Sequence, residues 1–316
     1  MLDVTAIGEL LIDFTCLSAD PEGYPTMAAH PGGAPVNFLA ALAKFGARTA
    51  MLGKVGNDTF GRLLVNTMDA LGVQTRGIVT AGDAFTTLAF VTLDANGDRE
   101  FAFARKPGAD TCISENDLQL SLIDEAKIFH FGTLSLTDEP ARSATQKAVA
   151  YAKEKGKLIT FDPNLRKPLW SSMEAAREQL LWGLAQADVV KISEDEADFL
   201  FGMGVEESAG HILNQFGVKL VFVTCGPEGC FFKNAVAEGH VPSLAGIHVV
   251  DTTGAGDIFG GSAVWKLLQY AKAPEALTEK ELTDIARFAC AAASLSATRP
   301  GGAYSVPEYE DVLKRL

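Results

Sequence analysis

The chain has 316 residues, 47% hydrophobic and 21% charged, which excludes a disordered, collagenous or coiled-coil protein and suits about two domains or one large α/β domain with an appendage. Lys and Arg number 27 against 40 Asp and Glu, a formal charge of −13 that repels nucleic acid and anionic membrane surfaces alike. An anionic ligand must therefore be met by local groups, such as helix N-termini or a few arginines.

From the start of the chain, residues 1–9 lack the basic and apolar regions of a signal peptide, and no run approaches the roughly 18 apolar residues of a membrane span. A cytoplasmic protein is expected, with Asn57-Asp58-Thr59 a chance sequon. Cys16, Cys112, Cys225, Cys230 and Cys290 are an odd set with no CxxC pair, which fits a reducing compartment and neither a disulfide framework nor a zinc knuckle. Short runs rich in β-branched and aromatic residues predict strands at 4–7, 49–52, 127–131, 157–161, 188–192 and 220–224, separated by helical stretches, the alternation of a mainly parallel sheet. Val36, Leu39, Ala40 and Ala43, at i, i+3, i+4 and i+7, predict a helix over 35–45. Segments 86–93 and 99–104 flank Asp94-Ala95-Asn96-Gly97-Asp98, whose Asn-Gly pair predicts a hairpin bend. With the turn-rich stretch 11–32, this hairpin predicts a small β lid. Near the C-terminus the pattern predicts a strand at 247–250, a helix over 258–270 and a close-packed internal helix over 288–297.

The densest chemical signal is Asp251-Thr252-Thr253-Gly254-Ala255-Gly256-Asp257. Glycines let a ligand approach the backbone, and the helix beginning there offers unpaired N–H groups to an anion such as phosphate. Asp257, in the first turn, is placed to orient and deprotonate an attacking hydroxyl; the competing reading is a glycine-rich turn capped by an acid. Gly56 to Leu63 has Walker A glycine spacing but no Lys-Ser/Thr. Gly254-Ala255-Gly256 is followed by glycine at 260, not 259, without the acidic residue of a dinucleotide site some 20 residues later. The five histidines have no i,i+4 pairing or nearby cysteine, which disfavours a zinc-type site.

These stretches carry a family resemblance. Asp251 to Asp257 resembles the C-terminal signature of the PfkB (ribokinase-like) carbohydrate kinases. Gly32-Gly33-Ala34-Pro35-Val36-Asn37 and Val55-Gly56-Asn57-Asp58-Thr59-Phe60-Gly61 resemble the N-terminal one. With Phe161-Asp162-Pro163-Asn164-Leu165-Arg166 and Leu169-Trp170, the likeness spans the chain and is nearest the bacterial fructokinase and 2-keto-3-deoxygluconate kinase branch.

The resemblance implies a ribokinase-like three-layer α/β/α fold with a central mainly parallel sheet and a small β-sheet lid. The core is expected at 1–12, 33–75 and 109–316, and the lid at 13–32 and 76–108. It implies Asp257 as catalytic base and Gly254, Ala255 and Gly256 as an anion hole for the transferring γ-phosphoryl group, where alignment and charge stabilisation outweigh base strength. Asp13, Gly32, Gly33, Asn37, Phe103, Arg105 and Arg166 are implied at the sugar. Lys191, Ser193, Glu196, Thr224, Gly226, Gly229, Gly256 and Cys290 are implied at ATP, with Glu196 acting through water on Mg²⁺; Ser193 stands where the family commonly has Asn. A possible K⁺ site is implied at Asp251, Thr253, Ala297, Pro300, Gly302 and Ser305. A homodimer through the lid is a further implication, with a sugar and ATP as partners and neither nucleic acid nor membrane.

For the sugar, Arg105 and Arg166 could fork onto a carboxylate. Phe90, Phe101 and Phe103, however, place no hydroxyl on the lid, which favours a neutral sugar. The expectation is ATP-dependent fructokinase, with 2-keto-3-deoxygluconate kinase and a non-catalytic sugar-binding regulator as alternatives.

Overall fold

The computed structural model describes residues 1–93 and 99–316. In chain order the strands are β1 (Val4–Ile7), β2 (Leu11–Ala19), β3 (Pro25–Gly32), β4 (Thr49–Gly56), β5 (Val73–Ala81), β6 (Thr87–Leu93), β7 (Arg99–Ala104), β8 (Ile128–Gly132), β9 (Leu158–Asp162), β10 (Val189–Ser193), β11 (Leu220–Thr224), β12 (Cys230–Asn234) and β13 (Glu238–Val241). The α-helices are α1 (Ala34–Lys44), α2 (Thr59–Ala70), α3 (Ser121–Glu125), α4 (Ala141–Glu154), α5 (Met173–Gln186), α6 (Glu194–Phe201), α7 (Val205–Phe216), α8 (Ala255–Tyr270), α9 (Glu279–Ser296) and α10 (Tyr309–Leu313).

Nine strands form the main sheet in the order β13-β12-β11-β10-β9-β8-β1-β4-β5. Pairing is parallel from β11 through to β5, and antiparallel only at the β11–β12 and β12–β13 edge. Alternation along a strand sends neighbouring side chains to opposite faces, and β8 makes the consequence visible. Phe129 and Phe131 join the layer holding Phe161, Ala144 and Ala148 of α4 and Leu180 of α5, whereas Ile128 joins the layer of α1, α8 and α9. Phe131 stacks on Phe161 at 4.7 Å between ring centroids. Strands buried on both faces by helices are the rule for parallel sheets.

The predicted strands are present with boundaries displaced by a residue or so, except β4, which runs on to Gly56. The helix expected over 288–297 is the buried second half of α9. No strand forms at 247–250: Val249 and Val250 are exposed, and the segment is held by the Val250 and Asp251 N–H groups donating to Ala297 O. Its β-branched residues pair with no strand; Ile247 and Val249 line a cavity instead. Residues 56–63, which mimic a phosphate loop, form a structural cap: Asp58 accepts the N–H groups of Phe60, Gly61 and Thr86.

The second sheet has the order β3-β2-β6-β7. Its β6–β7 pair is the expected hairpin, antiparallel along its length, with the 94–98 bend outside the described residues. The two halves meet through β2 and β6, which run parallel. The boundaries also differ from expectation. Residues 76–81 stay in the main sheet as the end of β5, and β2 already enters the small sheet at Leu11.

One close approach sets the geometry described next. Helices α1 and α8 touch at Gly261, where a Cβ would come within 2.4 Å of the Phe38 carbonyl oxygen and 2.9 Å of Ala41 Cβ. Asn37 and Asp257 are thereby brought together from 220 residues apart in the chain. Gly261→Ala is expected to lower unfolding stability by about 1–3 kcal/mol through overpacking, read as a shifted denaturant midpoint; an unchanged midpoint would show that the helices separate freely.

Candidate active site

A cavity of about 680 Å³ opens beside the C-terminal ends of β9, β10 and β11, between them and the small sheet, the place where open α/β sheets bind ligands. Its walls bring together Asp13, Gly33, Asn37, Phe103, Arg166, Lys191, Ser193, Glu196, Thr224, Gly226 and Gly229. They also include Thr253, Gly254, Ala255, Gly256, Asp257, Cys290 and Ala297.

Asp257 is 7% exposed, in the first turn of α8. Two side-chain amides hold its carboxylate: Asn37 Nδ2 donates to Oδ2 and Asn164 Nδ2 to Oδ1, each at 2.9 Å. Burial raises its pKa, against the pull of Lys191, the Asn37 hydrogen bond and Arg166, while Glu196 adds to the rise. The turn before it requires glycine. Gly254 caps α8 in the left-handed region, φ 78°, and a Cβ there would also meet Asn37 Nδ2 at 2.9 Å. The opening turn of a helix has N–H groups with no upstream carbonyl. Here Ala255 N–H reaches Thr252 O, and Gly256 and Asp257 follow on the cavity wall.

Lys191 stands behind that turn, its Nζ 3.0 Å from where a Gly256 Cβ would sit and 3.0 Å from Asp162 Oδ2. Burial opposes its charge, yet Asp162, Glu196 and Asp257 together hold its pKa above the ordinary lysine value. A largely buried ammonium beneath a helix N-terminus adds to the local positive potential that the overall charge of the chain denies.

At the small-sheet side of the cavity, Asp13 extends from β2 over Gly32, where a Cβ would fall 2.1 Å from Asp13 Oδ2. Burial pushes its pKa up to about 7; Arg166 draws it down, and Asp257 and Asp251 push it up further. Phe103 of β7 and Leu11 of β2 supply apolar wall. Phe90 stacks instead on Phe14 at 5.3 Å, and the Phe101 side chain lies outside the described residues. Arg105 departs from expectation. It is 6% exposed and absent from the cavity wall, its guanidinium taken by Asp110 at 2.7 Å, Leu134 O and Thr137 Oγ1. The sequence offers the cation but not its partner, an acid five residues on. Arg105 acts here as a buried brace under the small sheet.

Two residues that sequence reasoning missed line the site. Glu9 accepts the Ala34 N–H at 2.7 Å, and burial pushes its pKa up to about 7. Asn164 has φ 47°. The one sequence clue to Asn164 was its type, since Asn tolerates the left-handed region better than other non-glycine residues.

Beyond the end of β10, Ser193 and Glu196 form the capping box of α6, and Glu196 Oε1 also accepts Leu165 N–H at 2.7 Å. The plain reading of an acidic helix start and the functional one thus describe the same carboxylate, fixed by its cap while lining the cavity. Cys290 lies with Ala293 and Ser294 on the far wall; burial pushes its thiol up to about 12, leaving it inert. The segments 251–253 and 297–305 clasp each other. Asp251 accepts Thr253 N–H and Gly301 N–H, Gly302 N–H donates to Thr253 O, and Ser305 Oγ donates to Gly302 O. These acceptors are all oxygens, the donor chemistry of hard cations, and each already receives a hydrogen bond within the clasp; Pro300 lies within the same 297–305 segment.

The raised pKa of Asp13 has a definite sign. Its folded value, about 7, exceeds the unfolded carboxylate value, so its charge destabilises the fold most above pH 7, and the penalty fades as pH falls from 7 toward 4. The unliganded Asp13→Asn protein is therefore expected to melt above wild type at pH 8, with the gap closing toward pH 4. A difference independent of pH would show that Asp13 carries no such shift.

The pfkB family carbohydrate kinase model matches residues 1–309. Fructokinase-1 of Oryza sativa subsp. japonica is 42% identical over 99% of this chain and 97% of its own length, and Fructokinase-2 of Solanum lycopersicum 40% identical over 99% and 95%. The fructokinase of Xylella fastidiosa, solved with bound ATP, superposes with a TM-score of 0.91 at 32% identity over 99% of this chain and 98% of that one. That of Vibrio cholerae O395, solved with fructose, ADP and calcium ion, gives 0.86 at 30% identity over 100% and 99%. With a glycine turn, a clamped aspartate and a facing small sheet in one cavity, the chain belongs to the pfkB family of carbohydrate kinases.

Proposed function

We propose that the protein is an ATP-dependent fructokinase, transferring the γ-phosphoryl group of ATP to the 6-hydroxyl of D-fructose. The observation that carries this reading is Asp257: a carboxylate clamped by two amides at the opening of α8, in the same cavity as Asp13. The fructose and ATP recorded with similar kinases support the choice of ligands.

Asp13 and Asn37 grip sugar hydroxyls, and Gly33, at the start of α1, lets the ring approach the backbone. Buried Asn37 Oδ1 has no protein partner, so it is an acceptor waiting for a hydroxyl donor. Asp257 accepts the proton of the attacking hydroxyl and, more importantly, aims that oxygen at phosphorus. The amides of Gly256 and Asp257, with Lys191 behind them, take the charge that spreads over the γ-phosphoryl oxygens. Thr224, Gly226 and Gly229 receive the remaining phosphates and the ribose, and Cys290 abuts the base. Mg²⁺, when bound, neutralises the β and γ oxygens; Glu196, with Glu194 and Asp195 also on the wall, is the group to hold its water. K⁺ belongs at the Asp251 and Thr253 cluster.

Exposed Leu17 and Tyr24, 67% and 70% accessible, make the small sheet the surface for a homodimer. Five free cysteines suit a reducing, cytoplasmic setting. Among the described residues no helix is long and apolar enough to cross a membrane.

One feature favours a second sugar. Arg166 lines the cavity, its guanidinium donating to Leu165 O at 3.5 Å, and is able to fork onto the carboxylate of 2-keto-3-deoxygluconate. An ADP-release assay across free sugars separates the readings. Fructose is expected to give the highest kcat/KM; a higher value for the keto acid assigns the second activity, and no ADP release with any sugar leaves a binding protein. In the same assay Asp257→Asn is expected to lower kcat by on the order of 10²- to 10⁴-fold with fructose binding retained. Near wild-type turnover would remove Asp257 from the base role.

A further inference from the structure

The segment 162–166 acts on four charged groups of the site, Lys191, Asp257, Glu196 and Asp13. Asp162 pairs with Lys191 at 3.0 Å, Asn164 Nδ2 donates to Asp257 at 2.9 Å, and Leu165 N–H donates to Glu196 at 2.7 Å. Arg166 acts electrostatically on both Asp13 and Asp257. Four of these five residues thus act on the base, its lysine, the Glu196 carboxylate and Asp13. An extended strand could not do this, because β9 ends at Asp162 and its alternation would send every second side chain away. Asn164 breaks the alternation. Its φ of 47° turns the chain so that its own amide and its neighbour's N–H both face the cavity.

Asn164 is 8% exposed. Its side-chain donor is directed at Asp257 Oδ1 while Asn37 holds Oδ2, so the carboxylate is fixed at both oxygens and cannot rotate about its own bond. Asn37 is anchored by the α1–α8 contact, so Asn164 is the half of the clamp that belongs to the opposite wall.

We propose that Asn164 is a positioning residue for phosphoryl transfer: its left-handed turn seats the side-chain amide on Asp257 and the adjoining backbone on Glu196, holding acceptor base and donor-side carboxylate in one frame. This rests on the sugar kinase reading above. Alignment is the larger part of catalysis in a loose transition state, and a misplacement near 1 Å costs about 10² in rate. Side chain and backbone can be separated experimentally, because Gly adopts the same φ without strain but carries no amide.

The test is a double-mutant cycle. Asn164→Gly is expected to lower kcat by on the order of 10- to 100-fold while KM for sugar and for ATP stay within about threefold. In an Asp257→Asn background the same change should move the residual rate by less than about twofold, because the group it acts through is gone. Asn164→Asp, isosteric and tolerant of the same backbone, replaces the donor with a second carboxylate beside Asp257. That carboxyl is already faced by Lys191, Arg166, Glu196, Asp13 and Asp162, and the variant should lose at least as much kcat. Wild-type kcat in both variants overturns the proposal, as does an equal loss in the two Asp257 backgrounds. The wild-type arm reports separately on the function: failure on fructose overturns the sugar assignment alone, and the cycle is then run with the sugar that wild type does phosphorylate. A crystal structure of unliganded Asn164→Gly needs no turnover. A carboxylate of Asp257 swung off Asn37 supports the role, and an unmoved one overturns it.

Discussion

The site depends on keeping one buried carboxylate charged and pointed. Asp257 is removed from water, which favours its neutral form. It nevertheless has to be an acceptor, beside the place where phosphate charge must collect. The fold resolves this with two amides on the two oxygens and a lysine behind. Amides donate without adding charge, so they hold the carboxylate without cancelling it. Lys191 does add charge, and Asp162 fixes it at a distance where it serves both the base and the helix opening. Removing one member leaves others buried without partners, which is costlier than never having had them.

The need for that arrangement explains much of the surrounding packing. Helices α1 and α8 approach at glycine because Asn37 must reach Asp257. The cap of α6 holds Glu196 on the wall, and Arg105, turned inward onto Asp110, braces the small sheet from below. The chain carries a net negative charge, and the positive potential at the proposed phosphate site comes from a helix start and one largely buried ammonium.

What could be read from the sequence was what lies close together in the chain. The turn from Asp251 to Asp257 packs its chemistry into seven consecutive residues, and the parallel strands announce themselves by short β-branched runs. Four things depended on partners that the local pattern does not reveal. Asn164 meets Asp257 across 93 residues, and nothing local distinguishes it from a loop asparagine. Arg105 looked like a ligand until Asp110 was seen beside it. The 247–250 run has strand composition but no edge to pair with, and the parallel union of β2 with β6 is not the pairing a hairpin pattern suggests. Periodicity and propensity describe a segment, whereas burial and partner choice are properties of the assembled chain.

Asp13 belongs to a strand of the small sheet, and Asp257 to a helix of the main body. In the proposed reaction the sugar is therefore gripped from the small sheet and activated from the main body, so a change that shifts the small sheet against α8 misaligns the alcohol without altering either carboxylate.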